Sequence, residues 1–505
     1  MLSKLKGSPL LLVALVVGAL VAGCGSSSSS SSSSDVSFTG DGHPNIDLTG
    51  NREAKSEIDS GNVNQLKEAW SIPVEGQGIY GSYASTPIIV NGVVYSQDLE
   101  SNVSAIDLES GDVLWDTKFE SPSHGPNGLA VAEGRVYGAT NGGAFALDQK
   151  TGKELWLTQL SGPVDMAPGV NDGTVYVSTV PENTSAEYEA GAVGTLWAMD
   201  GKTGKKLWHF DTVPKDLWGE PNVNSGGGLW YPPSFDGKGN VYAGTGNPAP
   251  LPGTPNKPWG SSRPGDNRYA DSLVKLDPKT GKLDWYYQET PHNIYDWDFQ
   301  NSPIITKAGG KEVAIGSGKS GFVVAVDVKS GKVVWRTPVG EHNGHDNDPE
   351  LAMRGEYKKI KVGEVFPGTL GGVIAAPASD GKRIYVPVIN HSMTVRNGYE
   401  VSEESSATGE VVALDLASGK EVWKAQFTGP AYGSLIVSND VVFATSAEGT
   451  IHALSADSGG EIWQAALPSG TNAGVMISGD MLVTGAGLPA AEGQTPKLVA
   501  YKLGG

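Results

Sequence analysis

A short pattern that recurs seven times along the chain constrains its fold more than any other feature. It reads Asp-x-x-Ser/Thr-Gly-x-x-x-Trp in DLESGDVLW, DQKTGKELW, DGKTGKKLW, DPKTGKLDW, DVKSGKVVW and DLASGKEVW, and a seventh copy, SADSGGEIW, has Ser455 in place of the Asp. Apolar segments of β type, such as GVVYSQ and VSAIDL, flank the copies. The Gly allows the positive φ of a tight turn, and the Asp and Ser/Thr side chains bond to the turn amides. Each copy therefore predicts a strand–turn–strand unit whose Trp packs against the neighbouring unit.

The two ends of the chain complete an eighth unit. QLKEAWSIPV near the start places Trp70 in the terminal position of the pattern, and PKLVAYKL at the end is a strand without a Trp. The predicted docking residues are Trp70, Trp115, Trp156, Trp208, Trp285, Trp335, Trp423 and Trp463. Helical repeats would show a 3.6-residue period, which this chain lacks. We therefore expect an all-β, eight-bladed β-propeller over residues 46–505, with the N- and C-terminal strands closing one blade.

The first 45 residues have the composition of a targeting segment. Lys4 and Lys6 precede an apolar run that ends in Val-Ala-Gly-Cys24, which resembles the lipobox of bacterial lipoproteins. This predicts a signal peptide over 1–24 and lipidation of Cys24, although an ordinary signal peptide remains an alternative. The serine run within 25–45 is typical of a flexible tether. The expected location is extracytoplasmic, with a lipid anchor in the cell envelope as the only contact with the membrane.

Charge and cysteine content exclude several classes of partner and cofactor. The formal net charge of −19 argues against nucleic acid and anionic lipid as partners. A single cysteine excludes an internal disulfide, and no Cys-x-x-Cys-His motif is present to attach a c-type haem.

The repeat spacing widens at two places, which points to functional insertions. The interval is 77 residues from Trp208 to Trp285 and 88 residues from Trp335 to Trp423. The first interval holds GGGLWYPPS, GTGNPAP, RPGDN and TPHNIYDWDF. Asp296 and Asp298 would share one face of a strand, where their charges require either a cation or an exposed turn. Lys319, between glycines in GSGKSGF, either enters a pocket or lies on the surface. EHNGHDNDPE in the second interval is either a second metal site or a solvated loop.

Together these motifs resemble those of the pyrroloquinoline quinone (PQQ) dehydrogenases of alcohols and aldose sugars. The resemblance implies that Trp230 stacks on the quinone, with Gly227 and Gly228 beside it, and that Lys319 bonds the quinone oxygens. Asp296 corresponds to the catalytic base. The implied metal ligands are Glu189, Asn247 and Asp296, with Asp298 as a further carboxylate on Ca²⁺ or, as in part of the family, a lanthanide ion.

This resemblance implies an enzyme that oxidises an alcohol or sugar hydroxyl and passes electrons to a separate acceptor such as a cytochrome c or a quinone. Several positions depart from the family pattern, namely Ala84, Asn127, Asp165, Ile374 and Ala375, which replace a Glu, an Arg, a Thr, an Asn and a Trp. The loss of an Arg and the gain of an Asp should weaken the binding of a tricarboxylate. Because the same repeat also builds a non-catalytic outer-membrane assembly lipoprotein, a propeller that acts as a binding or assembly scaffold is the alternative.

Overall fold

The fold is an eight-bladed β-propeller, as the repeat predicts. The structure is a computed structural model that describes residues 37–181, 190–404, 406–489 and 493–504. Within these residues eight sheets each contain four consecutive antiparallel strands. We number the blades in chain order of their innermost strands. Blade 8 is closed by the chain termini, because Leu66–Pro73 pairs with Lys497–Leu503.

The strand bounds of the blades, from the innermost strand outward, are as follows. Blades 1 to 4 contain Ile88–Val90, Val93–Gln97, Val103–Asp107 and Val113–Thr117; Ala130–Ala132, Arg135–Thr140, Gly143–Asp148 and Glu154–Gln159; Gly169–Asn171, Thr174–Thr179, Val193–Asp200 and Lys206–Asp211; and Ser234–Phe235, Val241–Gly244, Ser272–Leu276 and Leu283–Gln288. Blades 5 to 8 contain Ile304–Ala308, Lys311–Ser317, Phe322–Asp327 and Val333–Pro338; Ala378–Ser379, Arg383–Asn390, Thr408–Asp415 and Glu421–Phe427; Ile436–Ser438, Val441–Ser446, Thr450–Ser455 and Glu461–Ala466; and Met476–Ser478, Met481–Ala486, Lys497–Leu503 and Leu66–Pro73.

Elements outside the blades are short. They comprise the strands Glu53–Ala54, Ser225–Gly227, Pro248–Ala249, Gly363–Val365, Met393–Arg396 and Glu400–Glu403, the α-helix Asp348–Met353, and the 3₁₀ turns Val63–Gln65, Leu217–Gly219, Pro258–Gly260 and Tyr357–Lys359. Among the described residues, no helix is long and apolar enough to cross a membrane.

The docking tryptophans join consecutive blades as the pattern predicts. Trp156 in blade 2 donates its indole N–H to Gly201 O in blade 3, at 3.0 Å. The pattern glycine of that turn, Gly204, has a φ of 69°. A Cβ at Gly204 would lie 2.7 Å from the Trp156 ring, so this position needs glycine for space as well as for backbone conformation. The same indole-to-carbonyl bond links Trp70, Trp115, Trp208, Trp285, Trp335 and Trp423 to the following blade.

Residues 39–57 run once around the inside of the propeller, and we call this segment the inner belt. Its Gly42 exchanges two backbone hydrogen bonds with Val131 in blade 2. Further along, belt carbonyls accept from the inner strands of blades 4, 5, 6 and 7 in turn, at Phe235 N, Ile305 N, Ser379 N and Val437 N, before Glu57 N donates to Gly479 O in blade 8. The belt thus satisfies strand edges that face the propeller axis. It begins before residue 46, the expected start of the propeller.

Candidate functional site

Two carboxylates and one ammonium group meet beside the propeller axis. Lys319 Nζ lies 2.9 Å from Asp296 Oδ2 and 2.6 Å from Asp298 Oδ2. Lys319 is 15% exposed, so it enters a pocket and is not a surface lysine. The expectation that Asp296 and Asp298 converge is met, but the reason given for it was wrong. Asp296 has a φ of 60° in a loop, so a left-handed turn brings the two carboxylates together, not the alternation of a strand.

Close backbone contacts hold this loop in place. Lys319 N donates to Asp298 O at 2.8 Å, and a Cβ at Gly318 would lie only 2.0 Å from that same oxygen. Asn293 accepts from Tyr295 N and Trp297 N through its Oδ1 and so shapes the turn around Asp296. The glycine that precedes Lys319 therefore allows the lysine to reach both acids.

The charges in this cluster shift one another's titration. Burial raises the pKa of Asp296, and Asp298 adds to the rise while Lys319 opposes it. The two carboxylates raise the pKa of Lys319 against the effect of its burial, so the ammonium stays charged. Asp271, a residue that the sequence did not single out, is a third buried acid near them. Burial, followed by the charge of Asp298, raises its pKa well above the usual range.

The glycine segment and the Asn247 bend lie against this cluster. Gly227 N donates to Asn247 O at 2.8 Å, and Asn247 N donates to Asp298 Oδ1 at 2.7 Å. The Asn247 amide nitrogen donates to Pro248 O, which leaves its amide oxygen available as an acceptor. A Cβ at Gly246 would lie 3.2 Å from Trp230 Nε1 and 3.1 Å from Asp298 Oδ1, so the indole reaches the same place. The glycines allow backbone to approach backbone here, since Gly226–Gly228 packs against residues 247–249 and Gly194.

The RPGDN motif connects the Asn247 bend to the loop of Asp296. The buried Arg263 donates to Pro250 O at 3.1 Å and to Asn293 O at 2.7 Å. It also bonds to Asn267 Oδ1. Arg263 therefore fixes the relative position of two segments that carry candidate metal ligands, a structural role that the motif alone did not indicate.

Part of the EHNGHDNDPE insertion packs onto the loop of Asp296, so the insertion is only in part the solvated loop that was expected. Tyr295 Oη donates to Asp348 Oδ2 at 2.6 Å, and His345 Nδ1 lies 2.6 Å from the same oxygen. All three side chains are buried, and Tyr295 and Trp297 share an apolar cluster with Ala352 of the α-helix. The Asn-Asp-Pro sequence at 347–349 favours a helix start and could have indicated this fold.

An axial cavity of about 40 Å³ separates the inner belt from the inner ends of the blades. Its lining includes Ala84 and Asn127, two positions where the sequence departs from the family pattern, and Arg52 of the belt. Tyr231, which follows Trp230, also lines it and lies in electrostatic range of both Arg52 and Lys319. The cavity and the carboxylate cluster are therefore neighbours.

A third departure, Asp165, is accounted for by local contacts of its side chain. Asp165 accepts from Ser123 Oγ at 3.1 Å and from His124 N at 3.0 Å, and the His124 ring lies 3.6 Å from its other oxygen. Its carboxylate is therefore engaged by its own neighbours. Ile374, a fourth departure, accepts from Gln300 Nε2 at 3.2 Å through its backbone carbonyl, a bond that does not depend on its side chain.

Two of the predicted site residues cannot be placed. Glu189, the expected third metal ligand, and Cys24, the expected lipidation site, lie outside the described residues. Among the residues that are described, no group of three His, Cys, Asp or Glu side chains is arranged to hold a metal ion. The candidate metal ligands in the described part are thus Asn247, Asp296 and Asp298.

Two family profiles match the chain. The profile described as glucose/ethanol/alcohol dehydrogenase β-propeller domain (PQQ) covers residues 49–131 and 162–321. The profile described as outer membrane protein assembly factor BamB covers residues 262–395 and 366–504.

Individual relatives carry quinoprotein names. The quinohemoprotein alcohol dehydrogenase of Comamonas testosteroni is 29% identical over 463 residues, covering 77% of this chain and 63% of that protein. Quinohemoprotein alcohol dehydrogenase ADH IIB of Pseudomonas putida is 30% identical over 464 residues, covering 77% of this chain and 64% of that protein. The chain thus spans just under two thirds of the length of these relatives. The solved structure of a europium-containing methanol dehydrogenase matches with a TM-score of 0.75 at 21% identity, covering 91% of this chain and 97% of that one.

Proposed function

Because the chain belongs to the superfamily of PQQ-dependent dehydrogenases, we propose that it is an oxidoreductase that uses PQQ and a metal ion to oxidise an alcohol or sugar hydroxyl. The single observation that carries this proposal is the convergence of Asp296 and Asp298 on Lys319 beside the axial cavity. Burying two acids and a lysine is costly, and the blades do not need them to close.

The residues present fit a metal ion and an anionic quinone. Asp296, Asp298 and the amide oxygen of Asn247 are oxygen donors, the ligand type that Ca²⁺ and lanthanide ions prefer. Lys319 already forms ion pairs with both carboxylates, so a bound cation and the ammonium group would both contact the two acids. When bound, PQQ supplies a hydride-accepting quinone and the metal ion supplies Lewis acidity, neither of which a side chain offers.

We assign each residue of the site one task. Asp296 in its ionised form accepts the proton of the substrate hydroxyl at its carboxylate. Lys319 stabilises an oxygen atom that becomes negative during the reaction, on the side of the ammonium group away from the two acids. Trp230 gives the cofactor an aromatic surface, and Gly227 and Gly228 keep the backbone close to Asn247. Asp298 would bind the cation. Its Oδ1 also accepts from Asn247 N, which positions the bend that presents the Asn247 amide oxygen.

The test is a titration with PQQ, in the presence of Ca²⁺ or La³⁺, of the protein without its predicted signal peptide and serine tether. Bound quinone is followed by its absorbance, and turnover by dye-linked oxidation of a panel of alcohols and aldoses. We expect saturable, metal-dependent binding and a loss of turnover of at least 100-fold in Asp296→Asn. Asp457→Asn, at a position 87% exposed, is the matched control. Comparing the two ions in Asp298→Asn tests whether Asp298 selects the lanthanide. No binding with either ion would refute the proposal.

The match to the BamB profile supports the scaffold alternative, since it covers the C-terminal half of the chain. Both functions share the proposed extracytoplasmic location and the lipid anchor at Cys24, which the lipobox pattern supports. They differ in the acceptor: the enzyme must pass electrons to a separate carrier such as a cytochrome c or a quinone. A protein that binds neither PQQ nor metal but is retained by envelope proteins would favour the scaffold.

A further inference from the structure

Arg52 of the inner belt is a buried cation that has no counter-ion among the described residues. Its Nε donates to Leu435 O at 2.6 Å and its Nη1 to Pro44 O at 2.9 Å. Its Nη2 is buried and has no hydrogen-bond partner among the described residues. The other titratable group in range of the guanidinium is Tyr231, and no described carboxylate pairs with Arg52. Burying an unpaired charge costs several kcal/mol, so this arrangement calls for an anion.

The space next to Arg52 has the size and the polar groups to hold one. Arg52 lines the axial cavity, which is several times larger than the 10–15 Å³ that one water needs. Ser434 lines it too, and because its hydroxyl oxygen accepts from Ala376 N at 3.2 Å, its proton remains free to donate. Thr86 and Asn472 add a second hydroxyl and an amide. Two carbonyl hydrogen bonds hold the guanidinium in the wall of this cavity.

We infer that Arg52 is the cation of a carboxylate-binding subsite at the axial cavity. Asn127 lines the same cavity without a charge, and Arg52 is the only charged side chain among the described residues that line it. The carboxylates of an aromatic polycarboxylate such as PQQ are the ligand; this identity rests on the proposed function, whereas the subsite itself rests on Arg52 and the cavity. A small free carboxylate has the same chemistry and is the competing source.

Equilibrium binding of PQQ to Arg52→Met, followed by quenching of tryptophan fluorescence, tests the inference without measuring activity. We expect the affinity to fall about 10- to 100-fold. Arg396→Met, which removes an exposed arginine of the same charge, should leave it unchanged. The trimethyl ester of PQQ serves as a second probe. Wild type should prefer the acid to the ester by a similar factor, and this preference should collapse in Arg52→Met.

Wild-type affinity in Arg52→Met, or an equal preference for the acid in both proteins, would overturn the inference while leaving the proposed function intact. If Arg52→Met does not fold, the test uses Arg52→Lys and the preference of the wild-type protein for PQQ over its trimethyl ester. Equal affinity of the wild-type protein for the acid and the ester would overturn the inference. If wild type binds no PQQ, the proposed function fails. The subsite is then tested by the thermal midpoint in malonate against sodium chloride at equal ionic strength. A rise in thermal midpoint with malonate that occurs only in proteins that retain Arg52 would assign the subsite to small carboxylates. No rise in the wild-type protein would refute the subsite.

Discussion

At the scale of single residues, Lys319 is the group on which the stability of the acidic cluster depends. Asp298 is 1% exposed and Asp296 24% exposed, and both point at the lysine. Lys319→Met leaves the carboxylates without a cation, so we expect the metal-free protein to lose about 3–5 kcal/mol of stability in urea unfolding. Asp298→Asn in the same chain should recover a good part of this loss. Equal stability of wild type and Lys319→Met would contradict the electrostatic account.

Another residue-scale prediction concerns His292, which is fully buried in the loop before Asp296. Burial, followed by the nearby Arg263, lowers the pKa of His292 to about 4. The unfolded chain takes up a proton at this residue near pH 6.5, while the folded chain does not. Stability is therefore complete above pH 6.5 and falls, by up to about 3 kcal/mol, as the pH drops towards 4.

His292→Gln isolates this contribution because the other histidines remain in both proteins. Glutamine retains a donor for one of the two carbonyls that the ring contacts, Gly265 O at 2.8 Å or Trp259 O at 3.2 Å. We expect the variant to be less stable than wild type at pH 7.5, with the difference shrinking between pH 6.5 and 4.5 in urea unfolding. Parallel stability curves over this range would show that His292 does not titrate on unfolding.

At the scale of elements, the α-helix Asp348–Met353 supports the loop that carries Asp296. Tyr295→Phe removes the hydroxyl that donates to Asp348 but keeps the ring contact with Trp297, at 5.0 Å between centroids. We expect about 1–2 kcal/mol lower stability, and, on the proposed function, a lower kcat with an unchanged KM, because the loop positions the base. Tyr357→Phe, in the same cluster but without a described hydroxyl bond, is the matched control. An unchanged kcat in Tyr295→Phe would mean that the helix supports only the fold.

The blades were predictable from sequence because each depends on contacts within a few residues. In Asp148-Gln-Lys-Thr151-Gly152, the Asp148 carboxylate accepts from Thr151 N and Thr151 Oγ1, so the turn forms from its own side chains. The docking of Trp115 onto the next blade repeats one geometry, which a periodic pattern reveals. The contact of Tyr295 with Asp348 occurs once and joins residues 53 positions apart in the sequence, so no periodic pattern predicts it.

The candidate site was predictable only as far as its residues lie in motifs. Asp296, Asn247 and Lys319 belong to segments with family-like spacing, and the fold brings them together. Asp271 and Arg52 carry no such spacing. What distinguishes them is burial without a full set of partners, since Asp271 Oδ2 and Arg52 Nη2 have none among the described residues. Burial is a property of the assembled propeller and cannot be read from a local pattern.

At the scale of the whole molecule, the inner belt joins blades that are distant in sequence. It pairs residues near 50 with Ile305, Ser379 and Val437, so one short segment closes the inner edges of several blades at once. We predict that a protein starting at Ser60 has a clearly lower thermal midpoint than one starting at Ser37, because these amides lose their acceptors and the axial cavity loses one wall.

Hydrogen exchange shows whether the belt acts in this way. In the protein that starts at Ser60, the amides of Phe235, Ile305, Ser379 and Val437 should exchange faster than in the protein that starts at Ser37, since the belt carbonyls that accept from them are gone. The amide of Tyr137, paired with Ala130 and Ala146 inside blade 2, should change least and serves as the control. Because the four amides lie in four different blades, their joint acceleration would identify the loss of one continuous segment, whereas unchanged exchange at all four would mean that the blades close the axis without it.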